Sequence, residues 1–175
     1  DPTAAASRYP GATLADLNDD GLPELIVTGN STDKTRPSTI LWNRLGVFVE
    51  NDTTALPAPA IFSNGHYDTD VQRIDVNQDG LFDLVLVGGQ NTNLSSGWFV
   101  QILVNQGNRL FVDETADRVP PGDGGGGTAG VSTSAPSAHW VRVLDFNQDG
   151  APDFSVEVQP NGQLHLPLPL SQPLI

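Results

Sequence analysis

The segment Asp75-Val-Asn-Gln-Asp-Gly-Leu-Phe-Asp83 leads directly into the apolar run Leu84-Val-Leu-Val87, and together they decide the fold. The first part is rich in Asp, Asn and Gly, the residues that favour tight turns. The second part is short and apolar at every position, which is typical of a strand covered on both faces. The pair therefore predicts a turn that leads into a buried β-strand.

This pattern occurs three times in the 175 residues. Asp16–Glu24, Asp75–Asp83 and Asp145–Asp153 all read D-x-N-x-D-G-x-x-[D/E], and their first Asp residues are 59 and then 70 positions apart. The additional length of the second interval falls in one low-complexity stretch, Pro120–Pro136. The spacing indicates a repeat protein with a unit of roughly 60 residues.

Short apolar runs recur in the same order around each acidic loop. One run precedes the loop and one follows it; in the first two repeats a third run ends at Asn43 or Asn105, and a glycine turn leads to a fourth. Four antiparallel strands per repeat are therefore predicted. In chain order the runs are Thr13–Leu17, Leu25–Thr28, Thr39–Trp42 and Val47–Val49; Val71–Val76, Leu84–Val87, Phe99–Val104 and Leu110–Val112; Trp140–Phe146 and Phe154–Val158.

A four-stranded sheet can bury both faces only by stacking on other sheets, and radial stacking gives a β-propeller. We therefore expect an all-β fold with a single repeat domain over 1–175 that contains about three β-propeller blades. Asn161-Gly162 is a hairpin signal, but Pro167 and Pro169 favour an edge strand there and no fourth strand. The expected units are blade 1 at about 11–55, blade 2 at about 68–118, a Gly/Pro-rich insertion at 119–137 and a partial blade 3 at about 138–175.

The acidic loops carry the oxygen ligands that calcium prefers. Side chains at loop positions 1, 3, 5 and 9 and a backbone carbonyl at position 7 would hold the ion, and glycine at position 6 permits the backbone to reverse. We predict three Ca²⁺ sites. Their ligands are Asp16, Asn18, Asp20, Leu22 and Glu24; Asp75, Asn77, Asp79, Leu81 and Asp83; and Asp145, Asn147, Asp149, Ala151 and Asp153.

Two other interpretations of the loops are an EF-hand and a simple Asx-type turn. An EF-hand requires a Glu at position 12 between helices, whereas this position is Val27, Leu86 or Val156 inside an apolar run. Simple Asx-type turns would explain the Asp, Asn and Gly content of one loop. Three loops with every polar ligand position filled favour metal binding instead.

The D-x-N-x-D-G-x-x-D loop, the Leu-Val strand after it and the Asn-Gly turn before Phe resemble the FG-GAP/VCBS repeat family, which includes the propellers of integrin α-subunits. The resemblance covers most of 11–118 and 138 to about 170. It implies a propeller of about seven blades, so we expect this chain to be part of a larger ring, closed within a longer chain or by copies of itself.

The resemblance also implies what the module does. Metal hairpins lie on one face of such propellers, and protein or glycan partners bind the loops of the opposite face. We therefore expect an extracellular, secreted or cell-surface module for recognition and adhesion, in which calcium is structural. The corresponding loops here are Gly29–Ser38, Gly88–Gly97, Leu56–Asp70 and Asp117–His139, with Trp98, Tyr67, Trp140, Lys34 and Arg36 as candidate anchors.

The net charge and the remaining polar residues indicate which partners, activities and modifications are expected. A formal net charge of −13 disfavours nucleic acid and anionic membranes as partners. No catalytic motif is present, so we expect no enzyme activity; a fragment of a polysaccharide lyase and a structural repeat of a surface filament stay open as alternatives. Asn30, Asn51 and Asn93 fit the glycosylation acceptor pattern.

Four polar residues outside the loops are predicted to have no role in ligand binding or catalysis. Asp68 and Asp70 are expected to be solvated loop carboxylates, and His66 and His139 to pack or form hydrogen bonds rather than bind a ligand.

Overall fold

A computed structural model describes residues 11–29, 37–59, 66–90, 97–119, 131–132, 138–158 and 163–168. These ranges contain twelve β-strands and one short helix, and the strands form three antiparallel sheets. The prediction of an all-β fold built from propeller-type blades is confirmed. No helix within the described ranges is both long and apolar enough to cross a membrane.

The first sheet corresponds to blade 1. Its strands are β1 (Ala12–Ala15), β2 (Glu24–Val27), β3 (Thr39–Arg44) and β4 (Val47–Ala55), hydrogen-bonded in that order. Buried and half-buried residues alternate along β2 and through most of β3. Such alternation is expected for strands with one face against a core. β4 is mostly exposed because it forms the outer edge of the sheet.

The second sheet corresponds to blade 2 and has one strand more than predicted. Its main path is β5 (His66–Ile74), β6 (Asp83–Gln90), β7 (Trp98–Asn105) and β8 (Phe111–Asp113), followed by the helix α1 (Thr115–Arg118). Because β8 pairs only with the last three residues of β7, the beginning of β7 has an open edge. The strand β9 (Val131–Ser132) pairs with that edge.

This pairing adds a strand inside the predicted Gly/Pro-rich insertion at 119–137. Val131–Ser132 belongs to the blade 2 sheet, which the composition of the insertion did not predict. Backbone N–H and C=O groups of a buried strand need partners, and all eight residues of β7 are buried. A spacer that passes β7 can therefore supply a short strand despite its composition.

The third sheet corresponds to the partial blade 3. Its strands are β10 (Ala138–Leu144), β11 (Asp153–Val158) and β12 (Gln163–Leu168), paired in that order. Pro167 lies in β12, at the sheet edge, where the register with β11 is irregular. A proline lacks the N–H that a regular ladder requires. Asn161-Gly162 and Pro169, for which turn and strand roles were predicted, lie outside the described residues.

Two apolar cores join the three sheets face to face. The first lies between blades 1 and 2 and the second between blades 2 and 3, so that blade 2 is covered on both sides, as the run Leu84–Val87 predicted. The first core contains Ala15, Leu17, Ile26, Ile40, Trp42, Leu56, Val71, Leu84, Leu86, Leu103 and Phe111. The second contains Ile74, Val76, Val85, Val87, Trp98, Val100, Ile102, Val104, Val119, Ala138, Val141, Phe154 and Val156.

Hydrogen bonds between side chains and backbone connect blade 2 to blade 3. Thr69 Oγ1 donates to the carbonyl of Ala138 at 2.8 Å, and Asp70 accepts from the amide of Val141 at 3.1 Å. These bonds place the beginning of β5 beside the beginning of β10. Since β5 also packs beside β1, the first strand of each blade lies next to that of its neighbour.

Candidate metal centres

Each acidic loop is the turn of a hairpin between the first and second strands of its blade. Strands rather than helices flank all three loops, which agrees with the exclusion of an EF-hand. Position 6 is a glycine with φ of +83°, +90° and +87° in the three loops. These left-handed conformations explain why glycine is required there.

The residue at position 4 also has a left-handed backbone, which the sequence did not predict. Asp19, Gln78 and Gln148 have φ of 59°, 58° and 62°. Few residues other than glycine adopt this region, and a side chain such as Gln does so at some cost. The same strained conformation in all three hairpins shows that the loops share one backbone shape.

The second loop illustrates how the side chains at positions 1, 3 and 5 are held. Asp75 accepts from the amides of Asp79 and Gly80, both at 3.1 Å. Asn77 accepts from the amide of Asp79 at 3.2 Å and donates to its carboxylate at 2.9 Å. Asp79 in turn accepts from the amide of Leu81 at 2.8 Å. The predicted ligands at positions 1, 3 and 5 therefore gather around one turn.

The same five hydrogen bonds occur in the other two loops. The first loop uses Asp16, Asn18 and Asp20, with donor to acceptor distances from 2.8 to 3.2 Å. The third uses Asp145, Asn147 and Asp149 over the same range. One local sequence thus gives one local geometry three times.

The carboxylates at position 9 are buried beneath the loops. Glu24 and Asp83 are 0% exposed and Asp153 is 4% exposed. Asp83 accepts from the amide of Val76 at 2.9 Å and, with its other oxygen, from the amide of Asn105 at 2.8 Å. Each position-9 side chain thus joins the two ends of its loop, a structural role that the sequence analysis did not assign.

The carboxylates at positions 1, 5 and 9 repel one another. The pKa of Asp83 is raised to about 6, mainly by burial; two backbone hydrogen bonds act to lower it, and the charges of Asp79 and Asp75 act to raise it. Burial likewise raises the pKa of Glu24, and Asp20 and Asp16 add to that increase. A cation beside these groups would relieve both the repulsion and the cost of burial.

The predicted calcium ligands among the described residues do not form a complete coordination shell. Among the described residues, no group of three or more His, Asp or Glu side chains is positioned to hold a metal ion. The carboxylates at positions 1 and 5 bond to amides of their own loop instead. The donor set nevertheless fits a hard cation, since carboxylate, amide and backbone oxygens are all calcium ligands.

The candidate anchors on the opposite face are only partly described. Trp140 is 48% exposed, whereas Tyr67 and Trp98 are 3% and 7% exposed. Both residues lie opposite Gly89 in the sheet, and Trp98 belongs to the core between blades 2 and 3. Lys34, Arg36 and the side chain of His139 lie outside the described residues, as do loop residues 30–36, 60–65, 91–96, 120–130 and 133–137.

Two carboxylates that the sequence suggested were solvated are in fact buried. Asp68 and Asp70 are 7% and 8% exposed, because β5 begins earlier than predicted and carries both into the space between blades. Asp70 accepts from the amides of Val71 and Val141. The register of β5 is irregular between Asp68 and Asp70, so the regular alternation of a strand gave no signal for their burial.

Comparison with known proteins gives one match. Residues 16–86 match the family described as FG-GAP-like repeat. The match begins at the first residue of the first acidic loop and ends in β6, so it spans two of the three loops. Neither a curated protein nor a solved structure matches the chain.

Proposed function

Residues 16–86 belong to the FG-GAP-like repeat family, and on that premise we propose that the chain is an extracellular recognition module whose blades are stabilised by calcium. Three Ca²⁺ ions would bind, one at each acidic hairpin. The recognition surface would lie at the strand ends away from these hairpins. Protein or carbohydrate is the proposed class of partner.

The observation that carries this proposal is the threefold repetition of one loop geometry above a buried carboxylate. An Asx-type turn needs the side chains at positions 1, 3 and 5 but has no need of a buried acid at position 9. Asp83 is buried close enough to Asp75 and Asp79 for their charges to affect its pKa. Such an arrangement is unfavourable by itself and becomes favourable with a divalent cation.

The proposed calcium ligands are oxygen atoms of the turn and of the position-9 carboxylate. Position 1, 3 and 5 side chains and the position 7 carbonyl would be provided by the turn. A carboxylate can accept about four hydrogen bonds or contacts in total, so the position-9 group can retain its backbone amides and also face the ion. Bound calcium would supply positive charge that holds the two strands of the hairpin together.

The extracellular location rests on calcium supply and on the family match. Weak sites with dissociation constants of roughly 10⁻⁴ to 10⁻³ M are filled only where calcium is near millimolar, as it is outside cells. With calcium near millimolar, filling a site whose dissociation constant is roughly 10⁻⁴ M would add about 1.4 kcal/mol to the stability of the folded chain. Three such sites would make calcium a major contributor to folding.

Titration calorimetry of calcium into chelator-treated protein tests the metal sites directly. We expect three ions per chain and a higher melting temperature at millimolar calcium. Asp79→Asn should reduce the number to two, because it removes one charge and keeps the shape of the loop. The matched control is Asp117→Asn, an exposed carboxylate in α1, which should bind three. Absence of both heat and thermal stabilisation would refute the proposal.

An array of glycans and extracellular proteins, probed with the calcium-loaded chain, tests the recognition role. We expect binding that weakens when Trp140 is replaced by Ala, because this exposed ring offers a large rigid contact surface. Binding should also be lost in a chelator at temperatures where the chain unfolds. Turnover of a polysaccharide on the same array would contradict a pure binding module.

A further inference from the structure

Three polar side chains meet between blades 1 and 2, at the strand ends opposite the acidic loops. Ser38, His66 and Asp68 are 5%, 7% and 7% exposed. The Ser38 hydroxyl donates to Asp68 Oδ2 and accepts from the amide of Gly29 at 2.8 Å. The amide of Asp68 donates to the carbonyl of Gly29 at 3.2 Å. Asp68 therefore ties the beginning of β5 to the ends of β2 and β3.

The second oxygen of Asp68 is buried without a hydrogen-bond donor from the described residues. His66 Nε2 lies 3.5 Å from this oxygen, a separation too long for a good hydrogen bond. An ionised carboxylate in this position would have one oxygen neither hydrated nor paired, which is unfavourable. The protonated acid is better suited, since it carries no charge and its O–H can face Nε2.

Among the described residues, the elements packed around Asp68 supply no other charge. Ser38, just before β3, contributes its hydroxyl, and Gly29, just after β2, contributes its backbone. β6 contributes Gly88, where an added Cβ would lie 2.9 Å from Asp68 Cα. On β7, the ring of Phe99 meets the His66 ring edge to face at 5.7 Å. Within the described residues, His66 is thus the one titratable side chain facing Asp68.

We propose that Ser38, His66 and Asp68 form a proton-dependent clasp, which holds blades 1 and 2 together when Asp68 is a neutral acid and loosens when it ionises. The clasp would sit on the face opposite the acidic loops and respond to pH there. None of its groups belongs to an acidic loop, so loss of calcium binding would leave the expected titration unchanged.

The direction in which the stability of the clasp changes with pH follows from the burial of Asp68 and His66. Burial raises the pKa of Asp68 from 3.8 to about 7, although the Ser38 hydroxyl acts in the opposite direction. Its stabilising contribution is therefore complete below about pH 4 and is lost as the pH rises through about 7. Burial lowers the pKa of His66, so the contribution of the imidazole is complete above its ordinary value and is lost as the pH falls. The clasp should hold best in mildly acidic solution.

Hydrogen exchange of the calcium-saturated chain at pH 5.5 and 8.5 tests the clasp. After correction for intrinsic rates, protection of the Gly29 and Asp68 amides should fall at least about tenfold at the higher pH, the equivalent of one pKa unit. Protection of Val85 and Val87 in β6 should change little. Asp68→Asn should abolish the pH dependence, because a neutral amide replaces the neutral acid, while Asp117→Asn should retain it. Unchanged protection in the native chain would overturn the proposal.

Carbon NMR of the Asp68 carboxyl provides a direct measurement on the native chain, even if Asp68→Asn does not fold. We expect a titration midpoint near neutral pH. Ser38→Ala should raise that midpoint further, because the hydroxyl favours the ionised form. A midpoint near 4 would show that Asp68 is hydrated and that no clasp exists.

Discussion

The second and third acidic loops share one sequence pattern and one turn geometry, but the protein holds them differently. Asp83 accepts from an amide of its own loop and from the amide of Asn105 at the end of β7. Asp153 uses one oxygen for the amides of Phe146 and Asn147, both within its own loop. Among the described residues, the second loop is therefore bonded to the third strand of its blade, whereas the third loop is bonded within its own hairpin.

Asn105 also connects blade 2 to the neighbouring blade 1. Its side-chain amide donates to the carbonyl of Leu17 in the first loop at 2.8 Å and to the carbonyl of Phe82 at 3.1 Å. In the first blade, Asn43 lies at the same place and donates to the carbonyl of Pro23 within its own blade. Loops of one turn geometry are therefore bonded to different partners by the third strand of their blade.

The largest effect is expected from removing the buried carboxylates. Asp83→Ala should lower the free energy of unfolding by about 3 kcal/mol, because two buried amides lose their acceptor. Asp153→Ala should cost about 1.5 kcal/mol, since the amides of Phe146 and Asn147 lie nearer to solvent. Urea unfolding in calcium-free buffer measures both. Equal losses would show that the two loops are held alike.

A pH titration of stability isolates the contribution of Asp83. Because burial raises its pKa from 3.8 to about 6, the stability due to this group is complete below about pH 4 and is lost as the pH rises through about 6. We expect a loss of roughly 2 kcal/mol in chelator, after allowance for relaxation around the charge.

Melting curves at several pH values, recorded with Asp83→Asn as control, check this slope. The variant should lose less stability over the same interval, because its amide does not titrate. Saturating calcium should reduce the slope in the native chain, since the ion favours the carboxylate. A slope that Asp83→Asn leaves intact would have to come from another buried acid, such as Asp68.

Replacing the asparagines that end the third strands sharpens the comparison between blades. Asn105→Ala should cost about 1.5 kcal/mol, because two carbonyls and the amide of Gly107 lose a partner in a buried place. Asn43→Ala should cost about half as much, since its surroundings are more exposed. Urea unfolding again gives the values, and a larger loss for Asn43→Ala would argue against a link between blades at Asn105.

The smallest difference between two loops is expected at the glycines of position 6. Gly80→Ala and Gly150→Ala should each cost about 1 kcal/mol, since φ near +90° strains a residue with a side chain. No atom lies within 4 Å of an added Cβ at either place. The two losses should therefore be equal although the loops are fastened differently, and thermal unfolding of the two variants provides the check.

Several features were predictable because they depend on neighbours in the chain. The D-x-N-x-D-G pattern fixed the turn, its glycine and the strands on either side, and the uniform apolar run Leu84–Val87 predicted a sheet covered on both faces. The gathering of Asp75, Asn77 and Asp79 also followed from spacing. These properties arise within about ten residues, where backbone conformation and side-chain reach decide the outcome.

Other features depended on segments far apart in the chain. Sequence placed Asp83 in a ligand shell but could not show that it accepts from Asn105, 22 residues away. It assigned Asp68 to solvent, although packing of blade 1 against blade 2 buries it. It also gave no sign that Val131 and Ser132, within the Gly/Pro-rich insertion, pair with β7.

The sequence by itself determined three identical acidic hairpins and the all-β repeat that carries them, because turns and strand patterns are local. Only the tertiary structure decided which carboxylates are buried, which amides they accept from and where a proton is held. Burial and long-range hydrogen bonds are set by the stacking of whole sheets, and no local pattern specifies the surface that a neighbouring blade will cover.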